Sequence, residues 1–132
     1  MKKKQTRLQQ IKRIKKELTQ LASKACRDRD GKCVMCGATE NLQAHHWLYR
    51  KGHSLALAYC VDNLATLCYT CHIIKIHIRA EGHFIMRFLE VMRNKIGPAS
   101  IANMEEVARN PPPISLEDLQ ELKEAFLNAR KD

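Results

Sequence analysis

The sequence predicts an α+β protein in which a small, turn-rich core lies between a helical N-terminal segment and a helical C-terminal region. Three observations predict it. Apolar residues recur at three- and four-residue steps over residues 5–27; short segments broken by turn residues replace that period between Cys33 and Cys71; helical periodicity returns after Cys71. At 132 residues the chain has the size of one ordinary domain, which excludes a large multidomain enzyme. Composition divides it at 1–28, 29–80 and 81–132.

In the first segment Leu8, Ile11, Ile14, Leu18, Leu21 and Ala25 form one apolar stripe on a helix whose opposite face is Lys and Arg. The stripe either packs on its own domain or, because its 3-4-3-4 steps also match a heptad seam, pairs with a second copy as a homodimer. Arg27-Asp28-Arg29-Asp30-Gly31 is a turn signal that ends the helix and delivers the chain to Cys33. Two strands are expected next, near residues 42–48 and 55–60, with Arg50-Lys51-Gly52-His53 between them. After a break at Ala80-Glu81-Gly82, Phe84, Ile85, Phe88, Leu89 and Met92 lie on one helix face, which Gly97-Pro98 stops. A short helix over 99–109 precedes three prolines. Ser115-Leu-Glu-Asp118 then reads as a capping box opening a helix with Leu116, Leu119, Leu122 and Phe126 inward.

Charge is the next constraint. The net charge is +9, and residues 1–32 carry 12 basic and three acidic residues, so the entire excess sits there. Such a balance favours a polyanionic partner. Seven aromatic residues are too few for a base-stacking platform. There is no apolar run of membrane-spanning length and no apolar core behind Met1-Lys2-Lys3-Lys4, so a soluble, cytoplasmic protein is expected.

The residues with the most chemistry are Cys33-x-x-Cys36 and Cys68-x-x-Cys71. Two such pairs supply four thiolates to one tetrahedral Zn²⁺, a closed site that holds a fold together. A redox dithiol would need one pair in a βαβ context, which is absent. Cys26 and Cys60 lie outside the pattern and read as buried free thiols. Bracketed by the cysteines are His45-His46 and Asn63, with His72 directly after Cys71 and His77 beyond.

The string His45-His46, Asp62-Asn63-Leu64, Leu67-Cys68-x-x-Cys71-His72 resembles the HNH (ββα-metal) endonucleases that carry a cysteine-bound structural zinc, over roughly residues 29–80. The resemblance implies a zinc-stapled ββα core in which His45 and His72 hold a catalytic divalent ion, His46 activates water as general base and Asn63 fixes the loop and orients that base. The implied reaction is one-metal hydrolysis of a DNA phosphodiester, with Mg²⁺, Mn²⁺, Ni²⁺ or Zn²⁺ as the ion. A third ligand usually sits four residues after the first helix histidine, whereas His72 and His77 are five apart, about 140° around an ideal helix. His77 is then either a ligand of a distorted turn or a plain helix residue. The C-terminal helices and Pro spacer resemble, more loosely, phage recombination endonucleases of the NinG/Rap type, which act on branched DNA; a bacterial or phage-infected cell is the implied setting. Lys2, Lys3, Lys4, Arg7, Lys12, Arg13, Lys15 and Lys16, with Arg50 and Lys51, are the expected phosphate contacts. The rival reading is a non-catalytic zinc-containing DNA-binding module.

Overall fold

The computed structural model describes residues 4–129. Helix α1 (Arg7–Asp30) leads into strand β1 (Leu42–His46), a short helix α2 (Leu55–Ala58), a 3₁₀ turn (Val61–Asn63), strand β2 (Leu64–Cys68), a π-helix (Thr70–Ile78), and helices α3 (Gly82–Ile96), α4 (Pro98–Arg109) and α5 (Leu116–Ala129). β1 and β2 form a two-stranded antiparallel sheet with His45 opposite Ala65 and His46 opposite Leu64. Among the described residues, no helix is long and apolar enough to cross a membrane.

The pleat sorts the molecule into layers, because residues paired across a ladder share a face. On one face Ala44 and Leu64 pack with Ile14, Leu18, Ala22, Leu116 and Leu119 of α1 and α5. On the other, Ala65 and Leu67 pack with Phe88, Met92, Ile101 and Met104 of α3 and α4. Covered on both sides, β2 is buried at all five positions.

α1 opens with a capping box: Gln9 N–H donates to Thr6 Oγ1 at 3.1 Å and Thr6 N–H to Gln9 Oε1 at 2.9 Å. It closes on Gly31, whose φ of 70° places it in the left-handed region that glycine favours, with its N–H donating to Arg27 O. The buried row is Ile14, Leu18, Ala22 and Cys26, steps of four, while Leu8 is 63% exposed. The expected row through Leu21 and Ala25 is therefore displaced by one residue toward the C-terminus, since a straight helix drifts off a strict 3-4 seam. The stripe packs on its own sheet and on α5.

The second strand differs from expectation. Residues 55–58 are helical, because Ser54 caps them by accepting from Leu57 N–H at 3.3 Å and Leu and Ala are good helix formers. The second strand is Leu64–Cys68, which has no alternation because neither face meets water. The helices over 82–96, 98–109 and 116–129 agree with the sequence reading, and Ser115 and Asp118 cap each other's N–H groups at 3.1 and 2.9 Å.

The end of α1 is tied to the outer edge of β2 by a polar cluster. The side chain of Asp30 is fully buried; its carboxylate accepts from Thr66 N–H at 3.0 Å and pairs with Arg29 at 2.9 Å and Lys95 at 3.0 Å. Arg29 also donates to Val61 O and Leu64 O. Burial alone would raise the Asp30 carboxyl, but donors from Arg29, Lys95 and Thr66 outweigh it and hold the group well below the usual carboxylate range. Asp30→Ala leaves two cations and a strand N–H without their acceptor, so an unfolding free energy lower by about 3–5 kcal/mol is expected in denaturant titration. Because folding depresses this acid, its contribution is present above about pH 4, the unfolded value, and is lost on acidification; wild type and variant should converge in stability there.

Candidate active site

The first cysteine pair sits on a knuckle: Gly37 N–H donates to Cys33 O at 3.0 Å with Gly37 at φ 78°, and Cys33 N–H donates to Ala38 O at 2.8 Å. Val34 N–H donates to Thr66 O at 3.0 Å, docking the knuckle on β2. The second pair spans the end of β2 and the start of the π-helix, and the thiols of Cys33, Cys36, Cys68 and Cys71 lie within 4.8 Å of one another. Cys36 Sγ and Cys68 Sγ are 3.5 Å apart. Ligands about 2.3 Å from a tetrahedral zinc stand about 3.8 Å from one another, so the donor set fits Zn²⁺. The electrostatics agree. Burial opposes ionisation of Cys33, but backbone N–H donors from Cys36, Cys68 and Met35 outweigh it and bring the thiol down to about 7. Burial and the neighbouring thiols push Cys71 strongly up, because thiolates cannot gather here without a cation. Cys26 is buried, with its thiol at about 11 chiefly through burial, and Cys60 is half-buried.

The second cluster is His45, His72 and His77, whose ring nitrogens also lie within 4.8 Å of one another. His45 comes from β1, on the face opposite α1, and the other two come from the π-helix. That helix resolves the spacing problem. Its wider turn, with hydrogen bonds to the fifth residue, brings positions five apart onto one side, where an α-helix would separate them. Arg79 N–H donates to Ile74 O at 2.8 Å in this pattern. His77 thus joins the cluster, and the expectation of a separation near 140° fails because the helix is not an α-helix.

His45 Nδ1 and His72 Nε2 are 3.0 Å apart, and the His72 and His77 ring centroids 4.8 Å. Burial, then the neighbouring His72, His77 and His46, hold His45 down at about 4, so at neutral pH its ring is uncharged and does not repel a cation. Burial and His77 lower His72 too. His77 is exposed, leaving the cluster open to solvent. Three imidazoles and an open side can hold a divalent transition metal and one exogenous oxygen.

His46 points to the other face of β1. Its Nε2 lies 2.9 Å from Ala58 O; a carbonyl only accepts, so Nε2 carries the proton and Nδ1 keeps a lone pair. Asn63 is fully buried with every polar position used: its Oδ1 accepts from Leu48 N–H at 3.2 Å and Tyr49 N–H at 2.9 Å, and its Nδ2 donates to Tyr49 O at 2.8 Å and Leu57 O at 3.1 Å. It joins the chain leaving β1 to the chain leaving α2. Trp47 is buried beside it and donates through Nε1 to Asp62 O at 2.7 Å. His53 lies against Ala108 O, at 3.2 Å.

The cations divide by partner. Arg7 pairs with Glu117 at 3.0 Å, Arg13 with Glu17 at 3.1 Å and Lys24 with Asp28 at 3.1 Å, and Glu17 also meets Lys123 of α5. Lys12, Lys15 and Lys16 occupy a different arc of α1, shared with Thr19, and have no carboxylate partner among the described residues. Lys51 Nζ donates to Thr19 Oγ1 at 3.2 Å, which brings the loop holding Arg50 and Lys51 alongside that arc. Lys4 is exposed; Lys2 and Lys3 lie outside the described residues.

One contact at the histidine cluster was not expected from sequence. Gln43 Oε1 lies 2.6 Å from His72 Nδ1. The signal was its place two residues before His45, hence on the same strand face.

Residues 33–77 match the family model described as HNH endonuclease. The span begins at Cys33 and ends at His77, enclosing both clusters. Comparisons with curated proteins and with solved structures returned no match. The HNH match, the mixed fold with its two-stranded sheet and the four-cysteine cluster are consistent with one another: the matched segment is similar to an HNH endonuclease domain, and the cysteine cluster is suited to zinc.

Proposed function

We propose that the chain is a metal-dependent DNA endonuclease. The observation that carries this reading is the pairing of an open three-histidine cluster with a neighbouring histidine whose proton-accepting nitrogen is left free. A closed zinc module has no use for either. A divalent ion held by His45, His72 and His77 would polarise the scissile phosphate and stabilise the departing 3′ oxygen. His46, with Nε2 committed to Ala58 O, would take a proton from water through Nδ1 as the water oxygen bonds to phosphorus and the P–O3′ bond breaks; the departing 3′ oxygen would take a proton from solvent, giving a 5′-phosphate and a 3′-hydroxyl. Asn63 would hold β1's exit and α2 in register, and so the carbonyl that orients His46. The four cysteines would carry the structural zinc.

With three nitrogen donors and no carboxylate in the cluster, Ni²⁺, Zn²⁺ or Mn²⁺ should support cleavage better than Mg²⁺. The direct test incubates zinc-loaded protein with supercoiled plasmid and with a four-way junction, each with one added ion and an EDTA control. Metal-dependent cutting supports the reading, and preference for the junction extends it to branched recombination intermediates. Binding without cutting under every ion would leave the zinc-containing DNA-binding module instead.

The unpaired arc of α1 and the adjoining loop are the proposed phosphate track. Contacts from Lys12, Lys15, Lys16, Arg50 and Lys51 should give a slope of log affinity on log salt of about −4.5. Lys12→Ala should reduce that slope by about 1, whereas Arg13→Ala, whose charge is engaged by Glu17, should barely change it. Equal effects of the two variants in salt-titrated binding would remove the track from that arc.

A further inference from the structure

We propose that Gln43 is a positioning residue for the histidine cluster: its amide oxygen fixes the ring of His72 so that Nε2 faces the ion, and its neutrality sets how strongly the loaded site attracts phosphate. The inference rests on the metal-binding reading above and extends it to a residue outside the ligand set.

The geometry is specific. Gln43 and His45 lie two residues apart on β1 and face the π-helix together, so one strand face supplies a ligand and the group that orients another ligand. Gln43 is opposite Leu67, which is fully buried, so the backbone beneath the amide is set by the core. From there the side chain reaches His72 Nδ1 at 2.6 Å, while the opposite nitrogen of the same ring, Nε2, lies 3.0 Å from His45 Nδ1. An amide oxygen only accepts, so Nδ1 carries the proton and the lone pair is on Nε2, within the cluster. Without an acceptor at that distance the ring can turn over or carry its proton on Nε2, and either places a donor where the ion needs a lone pair. Groups that orient a metal-bound imidazole in this way typically change metal affinity 10–100-fold when removed.

The choice of an amide over a carboxylate has a second effect. A carboxylate at this position would make His72 a stronger ligand, but it would also place a negative charge beside the ion. Three neutral imidazoles and a neutral amide leave the full dipositive charge for an approaching phosphodiester. Gln43→Glu should therefore tighten metal binding and weaken phosphate binding together. A residue that matters only for folding would not move the two affinities in opposite directions.

The experiment uses the full, zinc-loaded chain, with Ni²⁺ titrated calorimetrically and inorganic phosphate then titrated into the nickel-loaded protein. Gln43→Met keeps the side-chain length and removes the acceptor; it should bind Ni²⁺ about 10–100-fold more weakly than wild type with an unchanged melting temperature for the zinc form. Gln43→Glu should recover or exceed wild-type Ni²⁺ affinity and bind phosphate several-fold more weakly. Should Gln43→Met melt early, the Glu variant alone still decides, because its two affinities must diverge. Wild-type Ni²⁺ affinity in Gln43→Met, or unchanged phosphate binding in Gln43→Glu, would overturn the proposal while leaving the metal site in place. A wild type that binds no Ni²⁺ beyond its zinc would overturn both this proposal and the metal-binding reading.

Discussion

Cys36→Ser is expected to unfold the core, although Cys36 is the one exposed member of its cluster. An exposed Cys-to-Ser change away from special features ordinarily shifts stability by no more than about 0.5 kcal/mol. A larger loss at this position therefore reports the metal and not the packing. A structural zinc contributes an apparent binding energy on the order of 10–16 kcal/mol, against a total stability of about 5–15 kcal/mol for a domain, so losing one ligand of four should remove most of the margin. The effect should extend beyond the knuckle. Cys71 is followed directly by His72, and both lie in the first turn of the π-helix, so a zinc held by the four cysteines would anchor the segment that presents His72 and His77. Far-UV circular dichroism and thermal melts should show the same collapse in Cys36→Ser and in wild type stripped by a strong chelator, with zinc restoring only the wild type. A Cys36→Ser protein that melts within a few degrees of wild type would mean that the four thiols are not a structural zinc site.

Much of this arrangement was legible in the sequence, and what was not has identifiable causes. Helices α3, α4 and α5 were readable because each has one wet face and one dry face, and α5 also carries a capping box. β2 was hidden because both of its faces are dry, so period-two alternation never develops and the strand runs into the second cysteine pair without a turn. The Cys and His members of both clusters stood out by residue type and spacing. The place of His77 stayed open in the sequence because periodicity arguments assume 3.6 residues per turn, and a π-helix leaves no mark in composition. The Asp30 staple, joining α1 to β2 and α3, is long-range and has no local signature. In the same way the sequence marks Arg7 and Arg13 as cations like their neighbours. The i,i+4 spacing of Arg13 and Glu17 marks one pair locally, but only the packing of α5 against α1 shows that Arg7 is engaged by Glu117.

His46→Ala should separate chemistry from binding. The two adjacent histidines of β1 face opposite sides of the sheet, His45 toward the π-helix and His46 toward the α1 side, where Ala58 O fixes its ring. Loss of a positioned general base typically lowers turnover about 10²–10⁴-fold. The three-histidine cluster, the four cysteines and the lysine arc do not depend on His46, so DNA affinity, its salt slope and Ni²⁺ affinity should stay at wild-type values. The Ala58 carbonyl loses its partner, which should cost about 1 kcal/mol of stability at this half-buried position, small enough for the variant to remain folded. His45→Ala supplies the contrast: it should lose second-site Ni²⁺ binding as well as cleavage. Single-turnover cleavage, Ni²⁺ titration and filter binding on the two variants therefore give a two-by-three pattern, with only cleavage lost in His46→Ala and both cleavage and nickel lost in His45→Ala. Wild-type turnover in His46→Ala would dismiss it as the base. Loss of nickel in that variant would instead place its side chain among the ligands, contrary to the strand face it occupies.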